Sequence, residues 1–114
     1  MNTSVAAEHP AESLLQLTAR RHGGTTVIAA EGELDMASVP QLQRLLDEQS
    51  GPVLLDLRSL EFIDSCGLGL LLSAEKRSRR DGLSLRLAPG RATQRLLQLT
   101  GLTEHFAYTD PPDG

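Results

Sequence analysis

Aromatic residues are nearly missing from this chain: 114 residues include no tryptophan, one tyrosine and two phenylalanines. Leucine must therefore fill most of the interior. The single cysteine, Cys66, excludes an internal disulfide. The longest apolar run, residues 68–72 with its interrupting Gly69, is far too short to span a bilayer. The first residues, MNTSVAAEHPAES, have neither a basic start nor an apolar signal core. Together these absences lead to the expectation of a cytoplasmic protein without membrane contact. Positive charge is also in short supply. Eleven Lys and Arg against 15 Asp and Glu leave a net charge of -4, whereas a nucleic-acid binder normally shows a basic balance. The length suits one domain with a modest core.

What is present reads as a mixed α/β chain. Residues 1–12 are polar, carry Pro10 and read as a loose tail, and a second loose tail is expected over residues 109–114 (TDPPDG). Residues 13–20 (SLLQLTAR) alternate as a strand does, and His22, Gly23 and Gly24 read as a turn. Residues 25–31 (TTVIAAE) are rich in β-branched side chains and complete a hairpin. Residues 32–35 (GELD) break the pattern. A helix follows, with Ser38 as N-cap, Gln41 as its capping-box partner and Pro40 tolerated in the first turn. Val39, Leu42, Leu45 and Leu46 share its apolar face, and Gly51 and Pro52 end it.

Residues 53–57 (VLLDL) are almost continuously apolar, as expected of a strand covered on both sides. A second helix is predicted from Ser65 to Arg80, burying Leu68, Leu71 and Leu72. Its last residues (EKRSRR, 75–80) put cations at the negative end of the helix dipole. Asp81 and Gly82 turn the chain into a strand over residues 83–87. Pro89 and Gly90 lead to a third helix carrying Leu96, Leu97 and Leu99, which stops at Gly101. The predicted order is β-β-α-β-α-β-α, with no internal repeat.

Strand 53–57, the Ser65 helix and strand 83–87 make a strand-helix-strand unit, which is nearly always right-handed and parallel. The turn around Ser65 then lies at the carboxyl end of the sheet, where open α/β sheets tend to place their sites. If the strand before GELD runs parallel to the central one, Asp35 and Ser65 become neighbours.

Several chemistries could use "FIDSCGLGLLLS" (62–73). A phosphate cradle would take backbone N–H groups at the helix start, with Gly67 and Gly69 allowing close approach. However, no Lys-Ser/Thr pair follows, as a P-loop requires, and Asp64 repels phosphate. Serine catalysis needs an activating base, and His9, His22 and His105 are all badly placed. There is no G-x-S-x-G around Ser65. A thiol in a first helical turn is favoured as thiolate, but Asp64 works against that at Cys66, and a small residue packed near the turn is the favoured reading. One cysteine and no His pair at ligand spacing give no metal site. A third reading is a serine that another protein modifies.

GELD at 32–35, LLDLRSLEFIDSCGLGLL at 54–71 and LTGL at 99–102 resemble the STAS domain, and more narrowly the bacterial anti-sigma factor antagonists (anti-anti-sigma factors). The resemblance runs over residues 13–108. Its specific part is Asp-Ser-x-Gly-Leu-Gly in register with the upstream Gly-Glu-Leu-Asp. It implies a small mixed β-sheet flanked by helices and a regulator that is not an enzyme and needs no cofactor. The partner implied is an anti-sigma factor with serine-protein kinase activity, which phosphorylates Ser65 and is then released. Asp35 corresponds to the acid beside the phosphorylated serine that helps contact the kinase. The implied partner surface is Glu33, Asp35, Asp64, Ser65, Cys66, Gly67, Leu68 and Gly69. The position after the acceptor is usually Ser or Thr in the family, and here it is Cys66. No feature demands self-association, so a monomer or a weak homodimer is expected. An unphosphorylated docking module and a Cys66 thiol sensor are the alternative readings.

Overall fold

The turn at Gly23 and Gly24 sets the first strand pairing. Both have positive φ, +57° and +87°, which a two-residue type I′ hairpin requires. They join β1 (Leu15–His22) to β2 (Thr25–Leu34) as antiparallel neighbours, with His22 opposite Thr25. The structure, a computed structural model, describes residues 13–112. The tail expected over residues 1–12, and residues 113–114 of the second tail, lie outside the described residues.

After the hairpin come α1 (Val39–Asp47), β3 (Val53–Ile63), α2 (Ser65–Arg80), β4 (Leu85–Pro89), α3 (Arg91–Thr100), a 3-10 turn (Thr103–His105) and β5 (Ala107–Tyr108). The strands form one sheet in the order β1-β2-β3-β4-β5, and every pair after the hairpin is parallel. The α/β class and the β-β-α-β-α-β-α order are as expected, with β5 added at the edge. Two residues are too few to leave a periodic signal, so β5 is not visible in the sequence.

The helices bury one face of the sheet. Leu42 and Leu46 of α1, Leu68, Leu71 and Ala74 of α2 and Leu97 of α3 share a core with Ile28, Leu34, Leu55, Leu57 and Leu87. Burying each leucine contributes about 1.5–3 kcal/mol. On the other face Val27, Leu54 and Ala88 form a small second cluster. The two clusters explain why residues 53–57 are apolar on both faces of the strand. Thr109 donates its N–H to the Leu87 carbonyl at 3.0 Å, and Arg20 donates to the Pro112 carbonyl at 2.9 Å. No helix among the described residues is long and apolar enough to cross a membrane.

Several local expectations need correction. β2 does not stop before GELD but runs through Gly32, Glu33 and Leu34. Gly32 has φ +107°, and a Cβ there would meet the Leu14 carbonyl oxygen at 2.0 Å. Gly32 stays paired with Leu15 and Leu60; the register slips at Glu61 of β3, as at a bulge, and Glu33 and Leu34 then pair with Phe62 and Ile63. β3 likewise continues to Ile63, because pairing with β2 carries it past the polar Arg58 and Ser59. β4 begins at Leu85, not Leu83. Gly82 has φ +72°, Gly82 N–H bonds to the Arg79 carbonyl and Leu83 N–H to the Ser78 carbonyl. This is a Schellman closure, which assigns Leu83 to the end of α2. Leu99 of α3 is 74% exposed.

The capping box at α1 is also absent. Ser38 stands at the N-cap, but its side chain makes no cap bond to the helix. Gln41 instead accepts from the Ser13 hydroxyl and donates to the Leu15 carbonyl at 3.3 Å, tying α1 to the start of β1.

Candidate functional site

β2 and β3 are parallel and end in register, with Leu34 opposite Ile63. Asp64 N–H donates to the Leu34 carbonyl at 3.2 Å and closes the pair. The chain leaves both strands at one level, so the turns carrying Asp35 and Ser65 emerge side by side. This is the juxtaposition that the parallel arrangement required.

Asp64 is the N-cap of α2, in extended backbone. Its Oδ1 accepts from Cys66 N–H at 2.9 Å and Gly67 N–H at 3.1 Å. Two otherwise orphaned donors are satisfied, and Ser65 is held as the first helical residue. Ser65 and Cys66 are both exposed. Gly67 is buried because the helix start lies directly on the strand ends. A Cβ there would meet Ile63 Cγ1 at 2.8 Å and the Leu34 carbonyl oxygen at 2.9 Å. Leu68 points into the core and is 8% exposed. Gly69 is exposed, with no atom within 4 Å of an added Cβ.

Asp35 opens the turn between β2 and α1. Its Oδ1 accepts from Ala37 N–H at 3.0 Å and Ser38 N–H at 3.2 Å. Buried Ser38 locks the same turn, its hydroxyl donating to the Glu33 carbonyl at 2.8 Å and accepting from Asp35 N–H at 3.0 Å. Asp35 and Asp64 thus each use one carboxylate oxygen to cap a turn. The Oδ2 atoms of both have no hydrogen-bond partner among the described residues. Glu33, half-buried, sits opposite Phe62 in the β2–β3 register. The patch can present carboxylates and one serine hydroxyl to another molecule. Of the residues proposed from sequence, Glu33, Asp35, Asp64, Ser65 and Cys66 gather there. Gly67 and Leu68 instead form the packed floor beneath.

Two apolar residues at this end of the sheet were not read from the sequence. Met36, directly after Asp35, is 75% exposed, and Phe62 is 48% exposed. A methionine inside a polar turn was the available signal for the first. Phe62 carried none, since only pairing with β2 beyond Leu57 places it on a strand and outward.

Comparison with known proteins agrees with this geometry. The STAS domain family model matches residues 16–111. The anti-sigma-F factor antagonist RsfA of Mycobacterium tuberculosis is 28% identical over 99 residues, covering 81% of this chain and 77% of that protein. The anti-sigma F factor antagonist of Paenibacillus polymyxa is 30% identical over 94 residues, covering 77% and 80%. An anti-sigma factor antagonist from Mycobacterium paratuberculosis superposes with a TM-score of 0.74 at 26% identity, covering 86% of each chain. The chain belongs to the STAS domain family, in its anti-sigma factor antagonist branch.

Proposed function

We propose that this chain antagonises an anti-sigma factor that is also a serine kinase. The unphosphorylated form binds and sequesters that partner, and phosphorylation of Ser65 releases it. The observation carrying the reading is the exposed Ser65 hydroxyl, held as the first residue of α2 by the Asp64 cap. It stands beside the Asp35 turn, where β2 and β3 end in register. The names of the relatives above support the same reading.

The physical consequence of phosphate at Ser65 differs inside and outside the fold. Phosphoserine adds roughly -1.5 to -2 charges at neutral pH. At a helix N-terminus that charge meets the positive end of the dipole, so the domain tolerates it. A partner approaching the patch meets phosphate together with Asp35, Asp64 and Glu33. Burying that charge without a cation opposite costs several kcal/mol. A loss of about 2.8 kcal/mol already weakens binding a hundredfold. Binding can therefore be switched off while the fold persists.

The test is calorimetric titration of the purified anti-sigma factor kinase with the parent chain, Ser65→Asp and enzymatically phosphorylated protein. Tight binding by the parent, weaker binding by Ser65→Asp and the weakest by phosphoprotein is the expected order. Ser65→Ala should bind but accept no phosphate. Equal affinity for all forms would leave an unregulated docking module.

A further inference from the structure

β4 pairs only with residues 53–57 of β3, so the rest of β3 overhangs it. α3 lies along the overhang, and between the two runs an open groove of about 530 Å³. Its floor is apolar, with buried Leu60 and Ile63 and half-buried Leu96. Phe62 and Leu99, 48% and 74% exposed, flank it. The chain has two phenylalanines, and one of them stands here in solvent, whereas Phe106 is buried. Arg91, Arg95 and Leu99 follow at four-residue spacing and form one stripe of α3 along the groove. Neither arginine forms an ion pair with a described residue. Glu61 lies on the opposite wall, from β3.

These features specify the chemistry of an occupant. An apolar floor gives nothing to a bare anion or a nucleic-acid backbone, and the net charge of -4 opposes both polyanions and anionic membranes. The two arginines select carboxylates, while the leucines and Phe62 select apolar side chains. A protein segment that carries acids beside apolar anchors satisfies both. The groove is also continuous with the Ser65 end of the sheet. Phe62 is the register partner of Glu33, and Ile63 directly precedes Asp64 and Ser65. The continuous surface is therefore acidic at one end and basic at the other, a polarity that fixes the orientation of a partner covering both.

We infer that the anti-sigma factor seats an acidic, apolar-anchored segment in the β3–α3 groove while other contacts cover the Ser65 turn. This rests on the function proposed above. The groove supplies the affinity and orientation that the phosphorylation site by itself does not.

The test compares the parent chain, Arg91→Glu/Arg95→Glu, Leu99→Ser and the charge-matched control Lys76→Glu/Arg86→Glu, each checked by circular dichroism melting. All are titrated with the purified anti-sigma factor kinase, with Ser65→Asp alongside. The groove reversal should weaken binding at least tenfold, Leu99→Ser at least threefold and the control less than threefold. Leu99 is exposed, so its replacement leaves the fold intact. If parent and Ser65→Asp differ as proposed but both groove variants bind like the parent, the groove inference is overturned and the function stands. If the parent does not bind the kinase, the functional reading falls and takes this inference with it. A parent dimer in sedimentation that Arg91→Glu/Arg95→Glu dissociates would also overturn it, in favour of a second copy as occupant.

Discussion

Gly67 lies so close to Leu34 that a Cβ on the glycine would sit 2.9 Å from the Leu34 carbonyl oxygen. The first turn of α2 thus rests on the end of β2, and that close packing sets where the turn carrying Ser65 begins. Gly67→Ala should destabilise the domain by about 1–3 kcal/mol, the usual cost of overpacking. Gly69→Ala, with open space around it, should instead stabilise by about 0.5–1 kcal/mol through helix propensity. Urea unfolding of the two variants measures this, and equal effects would contradict the close packing.

Asp35 caps its turn, and two substitutions separate that structural role from the proposed electrostatic one. Asp35→Asn keeps an oxygen to accept from Ala37 and Ser38 N–H and removes the charge. Its stability should stay within about 0.5 kcal/mol of the parent, while affinity for the anti-sigma factor kinase falls about tenfold through loss of a charge-assisted contact. Asp35→Ala should show the same affinity loss and about 1 kcal/mol of destabilisation from the missing cap. If Asp35→Asn binds like the parent, the residue serves the turn only.

Cys66 is exposed beside Ser65 and tests the thiol-sensor alternative. Cys66→Ser should unfold at the parent's temperature and bind the kinase within about twofold. It should also respond to phosphorylation of Ser65 as the parent does, before and after peroxide treatment. A parent whose binding changes with peroxide, alongside a Cys66→Ser variant that does not respond, would establish redox control at this site.

Asp56 gives the acid limb of the stability curve a specific contribution. Arg58 binds its carboxylate through two bonds, at 2.9 and 3.0 Å, and this pairing holds its pKa below the ordinary value despite an opposing effect of burial. A depressed folded-state pKa stabilises above the unfolded value, about 3.9, and that contribution is lost as pH falls through the folded value. Melting temperatures of parent and Asp56→Asn should therefore differ most above about pH 4 and converge below it. A gap that does not depend on pH would show that the pairing is not the cause.

The element order and the motif around Ser65 were legible in the sequence because both depend on local chemistry. Apolar spacing at 3.6 residues marks α1 and α2, and Gly23–Gly24 demands a turn. The adjacency of Asp35 and Ser65 followed once strands were taken as parallel, since a β-α-β unit allows little else. Strand lengths did not follow. Residues 32–34 and 58–63 look broken or polar by themselves, and only hydrogen bonding to a neighbouring strand makes them β structure. Pairing is non-local, so its gain appears nowhere in a window of sequence. The same holds for Gln41, which abandons a local capping box for Ser13 and Leu15, and for Phe62 and Leu99. Their apolar character is plain from the sequence, but whether they enter the core or face solvent depends on where β4 ends and α3 lies. The chain alone thus determined the elements and the motif that places Ser65 at a helix start. Tertiary packing decided which carboxylates surround that serine and which apolar side chains stay outside beside it.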